Sequence, residues 1–343
     1  MPISPKLKLL AALIVLAALP ALPAVANATL SYTKGIQKPR VYVAEDNGKG
    51  ARQVGIGTNS HVSPNGEWVA YERESSSGTS ELRLYQVDIH KSERLLNPWA
   101  ESFVFAWSPD STKLAAVTGG VRGKRTLLVI DAKSMKREKV AKGYFNGASF
   151  SPESDELVYG VSQTENTLKS DIFRYTLGGA APKALTRGKV SAYPLWGPQD
   201  QIVFAQITNP KKPSEVPTSQ LFSMDSEGQR ISQLSHTKIG PLSQGLTPTA
   251  WSANGARLLT EYGGEDQSYA VALSVVTGTE KKLTKDPETG LQGSALSPDG
   301  TTVLGTVGLG FGGESSPKVV TVPWGGGPEK VLVPGGYQPS WGG

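Results

Sequence analysis

The sequence predicts an all-β fold, a seven-bladed β-propeller with four-stranded antiparallel blades. Three observations predict it: one short turn phrase returns along the chain, its copies are almost evenly spaced, and the two chain ends together complete one further copy. The copies begin at Val62-Ser-Pro-Asn-Gly66, Trp107-Ser-Pro-Asp-Ser111, Phe150-Ser-Pro-Glu-Ser154, Trp196-Gly-Pro-Gln-Asp200, Trp251-Ser-Ala-Asn-Gly255 and Leu296-Ser-Pro-Asp-Gly300. Proline sets φ for the first corner of a turn, and Asp, Asn or Gly suits the positions after it. The bulky residue ahead of each turn ends one strand. The apolar run behind it, such as Lys113-Leu-Ala-Ala-Val117 or Gln201-Ile-Val-Phe204, starts the next.

The third positions of the phrase are Pro64, Pro109, Pro152, Pro198, Ala253 and Pro298, separated by 45, 43, 46, 55 and 45 residues. Four short strands with their turns need about this length, the period of a propeller blade. Each unit continues into a second alternating pair of strands, for example Asp171-Ile-Phe-Arg-Tyr-Thr176 followed by Lys183-Ala-Leu-Thr186. The chain stops 45 residues after Pro298, so Trp341-Gly-Gly343 stands where Trp196-Gly-Pro198 stands in its own unit. Thr29–Gly35, Arg40–Ala44 and Ala51–Val54 supply the three strands that this last unit lacks. One strand from the C-terminus and three from the N-terminus therefore form a shared closing blade, which leaves no free sheet edge in the ring. A six- or eight-bladed ring is the alternative count.

Composition agrees with many short strands. Gly 39 and Pro 24 are high, and charged residues make up 19%. The absence of cysteine rules out disulfides, thiolate metal sites and thiol nucleophiles. The first residues carry Lys6 and Lys8, an apolar run from Leu9 to Leu22, and Ala24-Val-Ala-Asn-Ala28. That is the pattern of a secretory signal peptide cleaved after Ala26 or Ala28. It makes 1–28 the signal peptide and 29–343 a single β-propeller domain, exported to the periplasm or the extracellular space. Cleavage takes the formal net charge from +5 to +3. The charges are of mixed sign along the chain, so nucleic acid is not an expected partner. No other stretch is apolar enough to span a membrane, and a monomer is expected.

The returning phrase, followed by an apolar strand and then by Asp171-Ile-Phe-Arg-Tyr175 or Gln220-Leu-Phe-Ser-Met-Asp225, resembles the WD40-like (PD40) repeat of TolB-like propellers. The resemblance covers nearly all of 29–343. It implies the fold without implying one activity, because propellers of this type occur as binding scaffolds, as substrate gates on serine peptidases and as lyases. TolB itself has a six-bladed ring and an extra N-terminal domain. Seven units with nothing left over depart from that pattern, so the Tol–Pal role is not carried over.

Catalytic signals are sparse. The nucleophile elbow Gly-x-Ser-x-Gly is missing. Of the three histidines, His61 lies on an inner strand just before a turn phrase, and His90 and His236 fall near outer strands of different units. Glu45-Asp46 and Glu265-Asp266 read as solvated turns, with calcium as the alternative. Gly308-Leu-Gly-Phe-Gly-Gly313 lacks the Lys-Ser/Thr of a phosphate loop. No catalytic residue, metal ligand or cofactor is assigned.

The candidate partner-binding face is the one that carries the loops leading into the inner strands. It presents Phe103, Phe145, Tyr193, Tyr337 and His61, together with Lys211 and Lys212 of the proline-rich insertion Asn209–Pro217. Loop aromatics anchor partners, and in a propeller they also plug the channel mouth. The expected function is a non-enzymatic binding scaffold for a protein, a peptide or a cell-envelope glycan. The alternative is a propeller enzyme, such as a polysaccharide lyase or a lactonase.

Overall fold

The computed structural model describes residues 29–342 apart from 75–78, 100, 121–122, 211–214, 265–267, 285–289 and 310–315. Across these residues the protein is almost wholly β, with one short 3-10 turn at Pro198–Asp200. No helix among them is long and apolar enough to cross a membrane.

Each turn phrase joins two antiparallel strands, and the serine that opens it explains its sequence. Ser108 Oγ donates to Asp110 Oδ1 at 2.5 Å and accepts from the Lys113 N–H at 2.9 Å. Ser63 with Asn65 and Trp68, Ser252 with Asn254 and Arg257, and Ser297 with Asp299 and Thr302 repeat the arrangement. The turns are also tied to one another: the Asn65 and Asp110 N–H groups donate to Ser111 Oγ and Ser154 Oγ of the next copy at 2.9 and 3.1 Å. The fourth copy has Gly197 instead of serine, because a Cβ there would run into the Trp251 indole.

The sheets follow the repeat. Strands Thr58–Val62, Trp68–Glu74, Ser80–Gln86 and Lys91–Trp99 form one four-stranded antiparallel sheet. Gln292–Leu296, Thr302–Val307, Lys318–Pro323 and Lys330–Pro334 form another. Between them in sequence, the hydrogen bonding runs on from one repeat to the next, in a seven-stranded and an eight-stranded sheet. The first of these is continuous through the long strand Arg137–Phe150, whose first half pairs with Arg125–Asp131 and whose second half pairs with Glu156–Ser162. Two fourth strands, Lys183–Ala184 and Ser232–Gln233, are only two residues long.

A last four-stranded sheet joins both chain ends, in the order Gly336–Gly342, Thr29–Lys34, Arg40–Glu45, Arg52–Ile56. Leu30 lies opposite Trp341, and Thr29 opposite Gly342.

Strand alternation sends neighbouring side chains to opposite sheet faces, and the core is layered accordingly. Val69 and Tyr71 pack with Val41 and Val43 of the end-joining sheet, whereas Ala70 packs with Val104, Leu114 and Ala116 of the following repeat. The other face of the end-joining sheet, through Leu30, Tyr32 and Ala44, meets Leu304, Val319 and Val333. Four further buried clusters lie between the successive repeats from 101 to 334.

Candidate functional site

The first strand of every repeat carries a β-bulge. The register slips between Thr58 and His61, Val104 and Ala106, Phe145 and Gly147, Ala192 and Leu195, Pro248 and Ala250, and Gly293 and Ala295. A bulge takes a backbone group out of the ladder, and when buried that group needs another partner. At four places the preceding repeat supplies one. The Asn59 N–H donates to Gln338 Oε1 at 3.3 Å and the Tyr193 N–H to Asn146 Oδ1 at 3.1 Å. The Gly293 N–H donates to Glu261 Oε2 at 3.3 Å and the Gln338 N–H to Thr306 Oγ1 at 3.1 Å. Asn59, Tyr193 and Gln338 hold φ of 49°, 53° and 50°, the left-handed region that non-glycine residues enter at a cost.

Asn146 is fixed in turn. Its Nδ2 donates to the Thr167 carbonyl and to Ser170 Oγ, both at 2.7 Å. A side chain at position 160 would collide with Asn146 Oδ1, so Gly160 keeps the space open.

Two carboxyl groups with raised pKa values touch these latches. Burial pushes Glu72 up to about 7, against the opposing hydrogen bond that it accepts from Asn59 Nδ2 at 3.1 Å. Burial also pushes Glu261 up to about 7, although it accepts from the Ser268 hydroxyl and the Gly293 N–H. Sequence reasoning missed both. They occupy the same place, eight residues after the third position of the turn phrase, where other repeats carry Val117, Gly160, Gln206 and Thr306. Aligning the repeats column by column would have exposed them.

Tyr193 and Glu261 share a cleft of about 290 Å³, also lined by Leu168, Ile207, Gln244 and Gly245. Gly245 holds φ +91°, and a Cβ there would run into the Ser219 carbonyl. The other described residues expected on this face do not line the cleft. Phe103 is half-buried and edge-on to Phe105, with ring centroids 5.1 Å apart. Phe145 is buried beside Tyr159. Tyr337 is buried and donates from Oη to the Gly35 carbonyl at 3.3 Å. His61 accepts at its carbonyl from Trp107 Nε1 at 3.0 Å, and burial pushes its imidazole down to about 4. Lys211 and Lys212 lie outside the described residues, as does the pair Glu265-Asp266.

His90 Nδ1 lies 3.2 Å from Tyr85 Oη, and the His236 N–H donates to Glu280 Oε1 at 2.7 Å. Among the described residues no three His, Asp or Glu side chains gather as metal ligands. A larger cleft, about 630 Å³, lies at the turn phrases between Trp68 and Met135. Its Asp110 is already engaged by Ser108, Thr112 and Lys113, which hold the carboxyl down at about 2 despite some burial.

No family model matches the chain, and no curated protein matches it in sequence. Solved structures do. TolB from Acinetobacter baumannii aligns with a TM-score of 0.59 and 15% identity, over 92% of this chain and 82% of that one. The β-propeller domain of the trilobed protease from Pyrococcus furiosus, described as having an open velcro topology, aligns at 0.64 and 15%, over 90% and 92%. The fold is that of a TolB-like β-propeller. An oligogalacturonate lyase from Vibrio parahaemolyticus shares this propeller at a TM-score of 0.58 and 11% identity, over 91% of this chain and 87% of that one. At such identities the likeness carries the fold alone.

Proposed function

We propose that the protein is an exported binding scaffold that holds a protein, a peptide or a cell-envelope glycan on the propeller face around Tyr193. In this reading 1–28 is the cleaved leader. Residues 29–343 are seven four-stranded blades, one of them shared between the chain ends. The seven-blade count is supported by the buried clusters between successive repeats and by the strand order of the end-joining sheet.

The observation that carries the scaffold reading is how the polar side chains of that face are used. Glu261, Asn146, Gln338 and Thr306 spend hydrogen bonds on backbone N–H groups of the next repeat. They tie one repeat to the next, Glu261 alone among them lines the cleft of Tyr193, and they do not converge as an acid–base pair. Rigid clefts of this size with one aromatic wall suit recognition.

One observation favours an enzyme, a lyase or a lactonase: Glu72 and Glu261 are held near neutrality, the range of a general base. Purified 29–343 should therefore be assayed on oligogalacturonate, lactones and peptides, and for retention of cell-envelope fractions. The scaffold reading expects no turnover, and retention that Tyr193→Ala weakens. Turnover that Glu261→Gln abolishes would replace it with the enzymatic one. N-terminal sequencing of protein recovered from the cell envelope or the medium tests export, with Asn27 or Thr29 as the expected first residue.

A further inference from the structure

Sheet 58–99 carries an arginine cluster that the face around Tyr193 does not involve. On one face of sheet 58–99, Arg73 lies opposite Glu81 in the register, and Arg83 lies opposite both Tyr71 and Arg94. All three arginines converge on the single carboxylate of Glu81. Arg83 Nη1 lies 2.8 Å from Oε1, Arg73 Nη1 3.4 Å from Oε1, and Arg94 Nε 3.0 Å from Oε2. Glu81 is only 5% exposed. Arg52 of the end-joining sheet hydrogen-bonds the Tyr85 hydroxyl.

One carboxylate does not need three guanidinium groups. Arg83 and Arg94 meet it at 2.8 and 3.0 Å and Arg73 only at 3.4 Å, and Arg83 is further engaged by Ser92: Nε to Oγ at 3.0 Å and Nη2 to the carbonyl at 3.3 Å. Its side chain is 18% exposed, whereas those of Arg73 and Arg94 are 47% and 53% exposed. Arginine stays charged at any working pH, so the cluster carries two positive charges beyond those its one carboxylate offsets. The neighbouring carboxylates do not offset them: Glu74 and Glu93 alternate onto the opposite face of their strands, and Glu93 pairs with Lys91. Glu81 holds Arg73 and Arg94 on its two oxygens, which orders their guanidinium planes before any ligand arrives. Ordered, half-exposed guanidinium planes receive planar or tetrahedral oxyanions through paired N–H donors.

We infer that Arg73 and Arg94, backed by Arg83 and Glu81, form a binding site for an oxyanion, a carboxylate or phosphate group. This site is independent of the proposed face around Tyr193.

Titration calorimetry of 29–343 at low ionic strength tests it, with inorganic phosphate and citrate as probes. Saturable binding of at least one probe is expected. Arg73→Gln/Arg94→Gln should weaken it about tenfold or more, since each factor of ten corresponds to one lost charged contact of ordinary strength. Arg230→Gln, at a side chain 88% exposed beside Asp225, is the control and should leave it unchanged. Tighter phosphate than citrate assigns the site to phosphate groups, and the reverse order to carboxylates. Glu81→Gln removes the carboxylate that orders Arg73 and Arg94 and should lower thermal stability, with phosphate restoring that stability. Undiminished binding in the double variant, or no saturable binding of either probe to the wild type, overturns the inference. Neither result bears on turnover or on retention through Tyr193.

Discussion

Glu72 and Glu261 set the pH response expected of this protein. Each has a folded-state pKa near 7, above the ordinary 4.5, because burial disfavours the ionised form. The folded state therefore binds more protons than the unfolded chain between these values and loses stability as pH rises from 4.5 through 7. His61 acts in the opposite sense. Its folded pKa of about 4 lies below the ordinary 6.5, so stability is lost as pH falls from 6.5 towards 4. Glu261→Gln should gain on the wild type as pH rises from 5 to 8, by at most about 3 kcal/mol, measured by urea unfolding at both pH values. A difference that does not change with pH would mean that the Glu261 carboxyl is ionised throughout. The sequence hides these two groups for a plain reason. An acidic residue two or three places from the end of a strand reads as solvated, and a bulged strand brings it a partner, the Asn59 side-chain amide of the same sheet for Glu72 and the Gly293 N–H of the next repeat for Glu261.

At the scale of single elements, the turn phrase was legible because its chemistry is local. Serine, proline and Asp or Asn satisfy one another within five residues, so their spacing alone specifies the hairpin. The bulges were not legible, since their stabilising partners come from another repeat 30 to 50 residues away, or from the far end of the chain. The long strand Arg137–Phe150 is a related case. Gly143, where a side chain would strike Val161, lets the chain pass from one repeat into the next without a loop. Asn146 tests how much the latches matter. Asn146→Ala leaves the Tyr193 N–H without its acceptor and removes the donors to Thr167 and Ser170. The expected loss is about 1–3 kcal/mol by denaturant unfolding, with faster amide exchange at Tyr193. If exchange at Tyr193 is unchanged, the bulge is held by its own strand.

At the scale of the whole molecule, what sequence reading could not see was which strands share a face. Arg73, Arg83 and Arg94 are ten or eleven residues apart in a chain of mixed charge, and antiparallel pairing alone brings them to one carboxylate. The pairing of the chain ends was legible, because it rests on the repeat itself, and it gives the sharpest test of closure. Gly342 lies opposite Thr29, the relation that a turn phrase creates inside every other repeat. In the latches, Gln338 contacts the repeats on both sides, through Thr306 and Asn59, and Ser340 Oγ accepts from the Val62 N–H at 3.0 Å. Deleting 336–343 should therefore loosen two neighbouring sheets at once and broaden or abolish the cooperative unfolding transition. Such a variant could fail for trivial reasons, so a circular permutant supplies the complementary result. A linker of about three residues between Gly343 and Thr29 would complete a turn of the Ser-Pro-Asp-Gly type. New ends can be opened at Gly278, an exposed turn position with φ +68° and no atom near its Cβ direction. If the ends are neighbours in a closed ring, this permutant unfolds cooperatively with a Tm within a few degrees of the wild type, because exposed turns tolerate new termini. A permutant that fails to fold, beside a deletion variant that unfolds like the wild type, would mean that the terminal strands are an appendage to an open array of sheets.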